Sequence, residues 1–259
     1  MIDSKTPQDI AVMVQGGKRL GNILAELLRI AQPGIPLLEI DARASDFIKK
    51  SGGTASFKTV RDYKWATCLC VNEVVVHGIP TPYVLKDGDV LTIDIGLLYE
   101  GLHTDTAWTK ITQNSKLKTQ NSEEKEKFLN VGEEALWKAI EQATIGNRVG
   151  HISKTIQEII EKARYNVVKT LVGHGVGKTL HEEPQIPGIL KLPLEKTQEL
   201  VEGMTIAIEV IYAMGEAEIV YDNNDGWTLA SKDRSLTAVF EHTIAITRSG
   251  PLVLTKGDK

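Results

Sequence analysis

Two aspartates stand in a stretch whose other residues have the pattern of two β-strands. Asp94 and Asp105 belong to TIDIGLLYEGLHTDTAWT, residues 92–109, although Asp is depleted from strands because its short side chain competes for backbone hydrogen bonds. Glu100-Gly101 has the composition of a two-residue hairpin turn. Pairing outward from that turn places both aspartates on one face as diagonal neighbours, roughly 7–8 Å apart and able to reach one object. Taken alone, they could also be two exposed strand acids.

Two glutamates late in the chain occupy the centres of apolar strands. Glu209 in MTIAIEVIY and Glu241 in TAVFEHTIAIT each interrupt an alternating apolar pattern. One such acid would indicate an edge strand or a wrong register, but four are hard to explain in that way. Four carboxylates on one face would repel one another and raise their pKa values, whereas two divalent cations would cancel the four charges. The four acids therefore predict a site for a pair of metal ions.

The remaining ligand of such a site is expected to be a neutral imidazole, and LVGHGVGKTLHEEPQIP supplies two candidates. His174 and His181 lie among glycines that let the backbone turn tightly, so both can face one cleft. This stretch is not a phosphate loop, because Val172 stands where the motif has its first glycine. HEEP also differs from the H-E-x-x-H motif of zinc peptidases. The glycines therefore favour the presentation of histidines over phosphate binding.

The composition limits the class of protein. A net charge of −4 and a pI near 5.9 argue against a nucleic-acid binder. The first residues lack the pattern of a signal peptide, and no apolar run reaches the length of a membrane helix. The spacing of Cys68 and Cys70 suits neither a disulfide framework nor a zinc site. We therefore expect a cytoplasmic protein without a membrane segment or a direct nucleic-acid site.

The elements that must position these side chains follow one order twice, helix, helix and then strands. A first helix opens at Thr6-Pro7 and is expected to stop at Gly34, and a second covers about 37–50. After the first strands, a polar connector, 114–128, leads into a helix that ends near Ala143. The next helix is expected over 149–164, before the strands resume. This order predicts an α+β fold with two halves around one antiparallel sheet.

Four motifs in this order closely resemble the type I methionine aminopeptidases: NEVVVHGIP, IDIGLLYEGLHTDTAWT, GHGVGKTLHEEPQIP and DGWTLASKDRSLTAVFEHT. The likeness spans nearly the whole chain. It implies a pita-bread fold, with pseudo-twofold halves and helices packed on a curved antiparallel sheet. It also implies a single catalytic domain, 1–259, without the zinc-finger extension or the type II helical insertion of other members, a form expected in bacteria or organelles.

The resemblance implies five metal ligands: Asp94, Asp105, His174, Glu209 and Glu241. Asp105 and Glu241 would bridge two divalent ions, which could be Mn, Fe(II), Co or Zn, since this donor set accepts all of them. Glu209 would also handle the proton of the attacking water. His77 would contact the substrate near the scissile bond, and His181 would steady the peptide group and the tetrahedral intermediate. Catalysis is thus expected to depend on His77, His181 and Glu209.

The resemblance further implies a methionine pocket lined by Tyr63, Cys68, Leu180 and Trp227. A lining of sulfur and aromatic groups suits a thioether side chain, although ordinary core packing is the alternative. Three other histidines match no functional position and are expected to be structural: His103, His151 and His242. The role of Asn72 is expected to be to hold a turn. Val210, Val239 and Leu180 depart from the family pattern of Pro, Gln and Phe, which leaves the substrate preference open.

The expected activity is removal of the N-terminal methionine from nascent proteins and peptides, with a preference for a small second residue. The expected protein is a monomer, and it could meet nascent chains at the ribosome. One alternative is an aminopeptidase or dipeptidase of the same fold that acts on Xaa-Pro bonds. Another is a non-catalytic peptide-binding module, which the retention of all five ligand positions argues against.

Overall fold

The computed structural model describes residues 4–113 and 122–258. The helices are α1 (Pro7–Ile30), α2 (Leu37–Lys50), α3 (Ser122–Glu141) and α4 (Val149–Lys162). The strands are β1 (Thr54–Ala55), β2 (Thr67–Val71), β3 (Val74–Val76), β4 (Val90–Tyr99), β5 (Leu102–Ile111), β6 (Asn166–Val167), β7 (Val172–Gly175), β8 (Glu182–Pro187), β9 (Thr205–Ala213), β10 (Ile219–Tyr221), β11 (Leu229–Ser231), β12 (Thr237–Thr247) and β13 (Gly250–Val253).

The first helix begins where the sequence predicts. The Thr6 hydroxyl accepts the backbone N–H of Asp9, and the Asp9 carboxylate accepts the backbone N–H of Thr6, so two N–H groups at the helix start are satisfied. Pro7 follows at the first helical position, where its fixed φ suits the helix. The helix ends at Ile30, a few residues before the glycine that was expected to stop it.

The polar connector is shorter than predicted. Residues 114–121 lie outside the described part of the chain, but the remainder, 122–128, already forms the first turns of α3. Glu and Lys are good helix formers, and Phe128 at the end of the segment is completely buried. The prediction of a connector up to residue 128 was therefore wrong, because a polar composition also fits the exposed side of a helix.

One antiparallel sheet dominates the fold. Over the described residues it has ten strands, seven of which follow the order β1-β4-β5-β12-β9-β7-β8, while β2, β6 and β13 pair with β4, β9 and β12. Helix α1 packs on β4 and β5, with α2 beside it against β1 and β2, whereas α3 packs on β9 and β12, with α4 beside it against β6 and β8. The halves meet where β5 pairs with β12. This arrangement confirms the predicted α+β fold with two halves around one sheet.

The hairpin of β4 and β5 has the register that the sequence predicts. Tyr99 pairs with Leu102, and the ladder continues until Asp94 faces Ala107. Both turn residues adopt positive φ, 48° at Glu100 and 82° at Gly101. That combination gives the turn a twist that matches the two strands.

A buried ion pair links the N-terminal segment to the β7–β8 hairpin. The Lys5 ammonium lies 2.6 Å from Glu182 Oε2, with side-chain exposures of 1% and 14%. The backbone N–H of Lys5 also donates to the Gly203 carbonyl. Gly177 makes room for this contact, since a Cβ there would lie 2.0 Å from Lys5 Cε.

Among residues 4–113 and 122–258, no helix combines the length and apolar character needed to cross a membrane.

We expect Lys5→Met to destabilise the protein strongly, because it leaves the Glu182 carboxylate without its cation in a poorly solvated place. Removing one partner of a buried ion pair typically costs about 3–5 kcal/mol of unfolding free energy. The matched control is Arg248→Met, which breaks an exposed pair with Glu202 and should leave stability unchanged. Urea unfolding measures both values. Equal stability of the two variants would show that the Lys5–Glu182 ion pair does not stabilise the fold.

Candidate metal centre and substrate pocket

Five neighbouring strands each contribute one of the side chains expected to bind metal. In sheet order these are β4 with Asp94, β5 with Asp105, β12 with Glu241, β9 with Glu209 and β7 with His174. Adjacent strands lie about 4.8 Å apart, so a site formed by five strands needs side chains that converge from both ends. The five side chains do converge, since all of them line one cavity.

The strand registers place the acids on one face and leave space between them. Ala107 pairs with Asp94 on one side and with Glu241 on the other. Glu241 in turn stands directly opposite Glu209, and Ala207 pairs with His174. Because alanine is the smallest side chain on such a face, the two alanines leave room for groups bound by the longer side chains around them.

Ligand atoms of three residues come close enough to bind one ion. One ligand atom from each of Asp105, His174 and Glu241 lies within 4.8 Å of the others, and all three residues are buried. His174 Nδ1 lies 2.8 Å from the Gly175 carbonyl oxygen. That oxygen can only accept, so Nδ1 carries the proton and Nε2 keeps its lone pair for a metal. The same Nε2 atom lies 3.5 Å from Glu209 Oε1.

Unsatisfied oxygens in the cluster fit a cation. Asp94 Oδ1 and Glu241 Oε1 are buried and have no hydrogen-bond partner among the described residues. A buried carboxylate oxygen without a partner is costly, and such groups are normally paired or bound to metal. Four carboxylates and one imidazole form a donor set suited to Mn, Fe(II), Co or Zn. The residues present therefore fit divalent metal ions.

The electrostatics of the cluster lead to the same conclusion. Burial, with repulsion from Asp105, raises the pKa values of Asp94, Glu209 and Glu241 well above their usual range. Burial also raises the pKa of Asp105 to about 7 and lowers that of His174 to about 4. The protein surroundings thus disfavour every charged form, and bound cations would supply the missing positive charge.

The two histidines assigned to substrate contacts flank this cluster. His181 has its ring centroid 4.4 Å from that of His174. Its turn is fixed by Thr179, whose hydroxyl donates to the His181 carbonyl and whose N–H donates to Glu182 Oε1. His77 directly follows β3 with φ at 57°. Positive φ is uncommon for a residue with a Cβ and is concentrated at functional sites.

The five candidate metal ligands and the two histidines, His77 and His181, line one cavity of about 570 Å³. Its apolar end is a buried cluster of Phe57, Tyr63, Cys68 and Leu180, with Trp227 packed against it. The Tyr63 hydroxyl donates to the Thr67 carbonyl and lies 3.3 Å from Cys68 Sγ. The structure therefore brings the four predicted pocket residues together beside the metal ligands.

Sequence reasoning missed Phe57 and Val60, which also line the cavity. Phe57 lies in a single turn of 3₁₀ helix at 56–59, just ahead of Val60. Such a short turn has no hydrophobic period, so the only available signal was an aromatic residue shortly before Tyr63. Of the departures from the family pattern, Leu180 lines the cavity, whereas Val210 and Val239 are not among its described lining residues.

The remaining predicted residues have structural contacts. His103 bonds to the Ser56 hydroxyl, and His242 to that of Thr255. His151 accepts the backbone N–H of Arg148 at the start of α4. The Asn72 amide donates to Asp89 and its oxygen accepts the N–H of Val90, which holds the turn before β4. These contacts agree with the predicted roles.

We expect Asp105→Asn and Glu241→Gln to reduce the metal bound per chain, since each removes a buried anionic ligand candidate. The measurement is metal content after chelator treatment, reloading with Mn²⁺ and dialysis, where the unaltered protein should retain two ions. Glu218→Gln is the matched control, because that acid is exposed and pairs with Lys232. Two retained ions in both cluster variants would contradict a dinuclear site at this place.

The chain is similar in sequence and fold to known metallopeptidases. The family model of metallopeptidase family M24 matches residues 11–248. Methionine aminopeptidase 1 of Bacillus subtilis is 41% identical over 256 residues, covering 99% of this chain and all of that relative. The crystal structure of methionine aminopeptidase from Thermotoga maritima superposes with a TM-score of 0.92 at 39% identity, covering 99% of this chain and 100% of that one. Prolidase from Pyrococcus furiosus, at 22% identity and a TM-score of 0.77, covers 99% of this chain but only 66% of that one and shares the fold. The chain therefore belongs to metallopeptidase family M24 and, within it, to the methionine aminopeptidases.

Proposed function

We propose that this chain removes the N-terminal methionine from polypeptides whose second residue is small. The observation that carries this proposal is one cavity that holds two kinds of surface. Carboxylates and an imidazole from five adjacent strands form one part. A buried pocket of sulfur and aromatic side chains forms the other. The first suits hydrolysis of a peptide bond, and the second suits an unbranched apolar side chain next to that bond.

We assign five residues to hold two divalent metal ions: Asp94, Asp105, His174, Glu209 and Glu241. Ions bound there would polarise the scissile carbonyl and lower the pKa of a bound water. Asp105 and Glu241 stand on the two central strands of the ligand set, β5 and β12, which pair with each other. That central position would let Asp105 and Glu241 hold the metal ions together with the ligand candidates on either side.

Glu209 is assigned as the group that accepts the proton of the attacking water. Its carboxylate lines the cavity together with the other ligand candidates. A general base must lie within hydrogen-bond reach of the proton that it accepts. The carboxylate of Glu209 also lies beside His174 Nε2, so the proton can be held close to the reacting atoms.

His77 and His181 are assigned to the substrate's peptide group. Both side chains are exposed to the cavity, in contrast to the buried acids. A ring N–H placed at the carbonyl oxygen or its developing oxyanion stabilises the transition state more than the ground state. The packing of His77 beside Trp227 supports a position for its ring between the methionine pocket and the peptide bond.

The pocket explains a preference for methionine. Tyr63 and Trp227 meet edge to face with centroids 5.1 Å apart, and Cys68 adds a polarizable sulfur. A thioether makes favourable contacts with such aromatic edges and fills a narrow channel without branching. Action on nascent chains at the ribosome, the monomeric state and the cytoplasmic location stay predictions.

We expect His77→Ala and His181→Ala to lower kcat/KM by about 10²–10⁴-fold, the range for a positioned acid–base or polarising group. Metal content should stay that of the unaltered protein, because neither ring is assigned as a ligand. His151→Ala serves as the control, since that ring caps a helix and should leave the rate unchanged. Loss of metal in either cavity variant would reassign that histidine to the metal centre.

Substrate competition separates methionine removal from proline-directed cleavage. We expect Met-Ala-Ser to be cleaved at least about tenfold better than Met-Leu-Ser, Leu-Ala-Ser or Ala-Pro-Ser, as measured by kcat/KM. Norleucine should replace methionine with little loss, because it exchanges the thioether sulfur for a methylene and keeps the unbranched apolar shape that the pocket accepts. If Ala-Pro-Ser is the best substrate, the proline-directed alternative is correct and the pocket assignment is wrong.

A further inference from the structure

A second cavity adjoins the candidate site along strand β8. It has a volume of about 820 Å³, and its lining includes Glu183 and Gln185, which also line the first cavity. The two cavities therefore meet across these side chains. Its remaining lining comes from the start of α4 and from the segment that follows β8, including Ile189, Leu190 and Leu192. We call this second cavity the β8 groove.

Strand β8 leads away from the methionine pocket toward this groove. Leu180 lies in the pocket, and His181 follows it. From there the exposed positions alternate, with His181, Glu183 and Gln185 on one face and Pro184 buried on the other. Strand β8 begins at Glu182, directly after His181, and a strand advances about 3.3 Å per residue, so Gln185 lies about 10 Å along it. An extended substrate that starts in the pocket and follows β8 would reach the groove with about its fifth residue.

The groove has the composition of a surface that binds a peptide side chain. Leu192 is 56% exposed, a high value for a large apolar residue, and it lies beside Ile189 and Leu190 in the same lining. Thr197 and Gln198 add polar groups, and the side chains of Lys191 and Lys196 also belong to the lining. Apolar contacts with a few polar groups beside them are typical of sites that take an extended chain.

The position of β8 in the sheet leaves space for such a chain. In the strand order of the described residues β8 is the last strand, so no further strand covers its outer side. Pro184 and Pro187 lack backbone N–H groups and interrupt any continuous ladder along that edge. Recognition in the groove would therefore depend mainly on side-chain contacts, and an apolar side chain is the best match to Leu190 and Leu192.

We propose that the β8 groove is a subsite for residues four to six of the polypeptide substrate and favours apolar side chains there. This inference rests on the proposed function, since it describes how the same substrate continues beyond the cleaved bond. A tripeptide ends before the groove, whereas a longer chain enters it. The groove would thus make the enzyme more efficient on chains than on the shortest peptides.

The test compares kcat/KM for three amidated peptides: Met-Ala-Ser, Met-Ala-Ser-Leu-Leu-Leu-Gly and Met-Ala-Ser-Asp-Asp-Asp-Gly. We expect the unaltered protein to cleave the leucine heptapeptide about tenfold better than the tripeptide, mainly through a lower KM. Leu192→Asp should abolish that gain and leave cleavage of Met-Ala-Ser unchanged. Leu252→Asp is the matched control, because Leu252 is an exposed leucine on β13, outside both cavities, and should keep the full gain.

Three results would overturn the inference. These are equal kcat/KM for the tripeptide and the leucine heptapeptide, an undiminished gain in Leu192→Asp, or an equal gain with the aspartate heptapeptide. Cleavage of Met-Ala-Ser by itself reports on the proposed function. If the metal-loaded protein cleaves none of the three peptides, the proposed function fails and the groove has no role in substrate binding.

Discussion

The burial of four carboxylates around one imidazole is the constraint on which the rest of this structure depends. Burial raises the pKa of each of these acids, and repulsion from Asp105 raises the pKa of the other three further. Two buried oxygens have no partner among the described residues. A fold accepts such a cost only where cations offset it or where function requires it. The surrounding sheet, helices and turns hold these five side chains at one place.

The sheet meets this constraint through its strand order. The ligand residues come from five strands that are neighbours in space but widely separated along the chain, with β5 beside β12 at the centre. Large aliphatic side chains on the opposite face of the same strands pack against the helices. Successive side chains along each strand point to opposite faces, so one face of the sheet forms the core and the other forms the site.

The cavity is asymmetric about the metal ligands, and that asymmetry agrees with action at a chain terminus. On one side a buried cluster closes the cavity around Tyr63, Cys68 and Leu180. On the other side the exposed residues of β8 connect it to a second, larger space. A closed end suits a single terminal side chain, whereas an open end suits the rest of a polypeptide. The turn at His181 lies between these two ends and is supported by the buried Lys5–Glu182 pair.

The sequence by itself determined the features that depend on local geometry. A two-residue turn at Glu100-Gly101 fixes the register of its hairpin, so the relation of Asp94 to Asp105 could be predicted. Glu209 and Glu241 could also be predicted, because each interrupts an apolar alternation along its strand. Only the tertiary structure decided which distant segments meet. Lys5 contacts Glu182 across 177 positions. Phe57 lines the pocket from a 3₁₀ turn that has no hydrophobic period, and the groove beside β8 forms from two separate segments, 149–153 and 183–198. The physical reason is that helices and strands repeat a local geometry that leaves a period in the sequence, whereas contacts between distant segments depend on how whole elements pack.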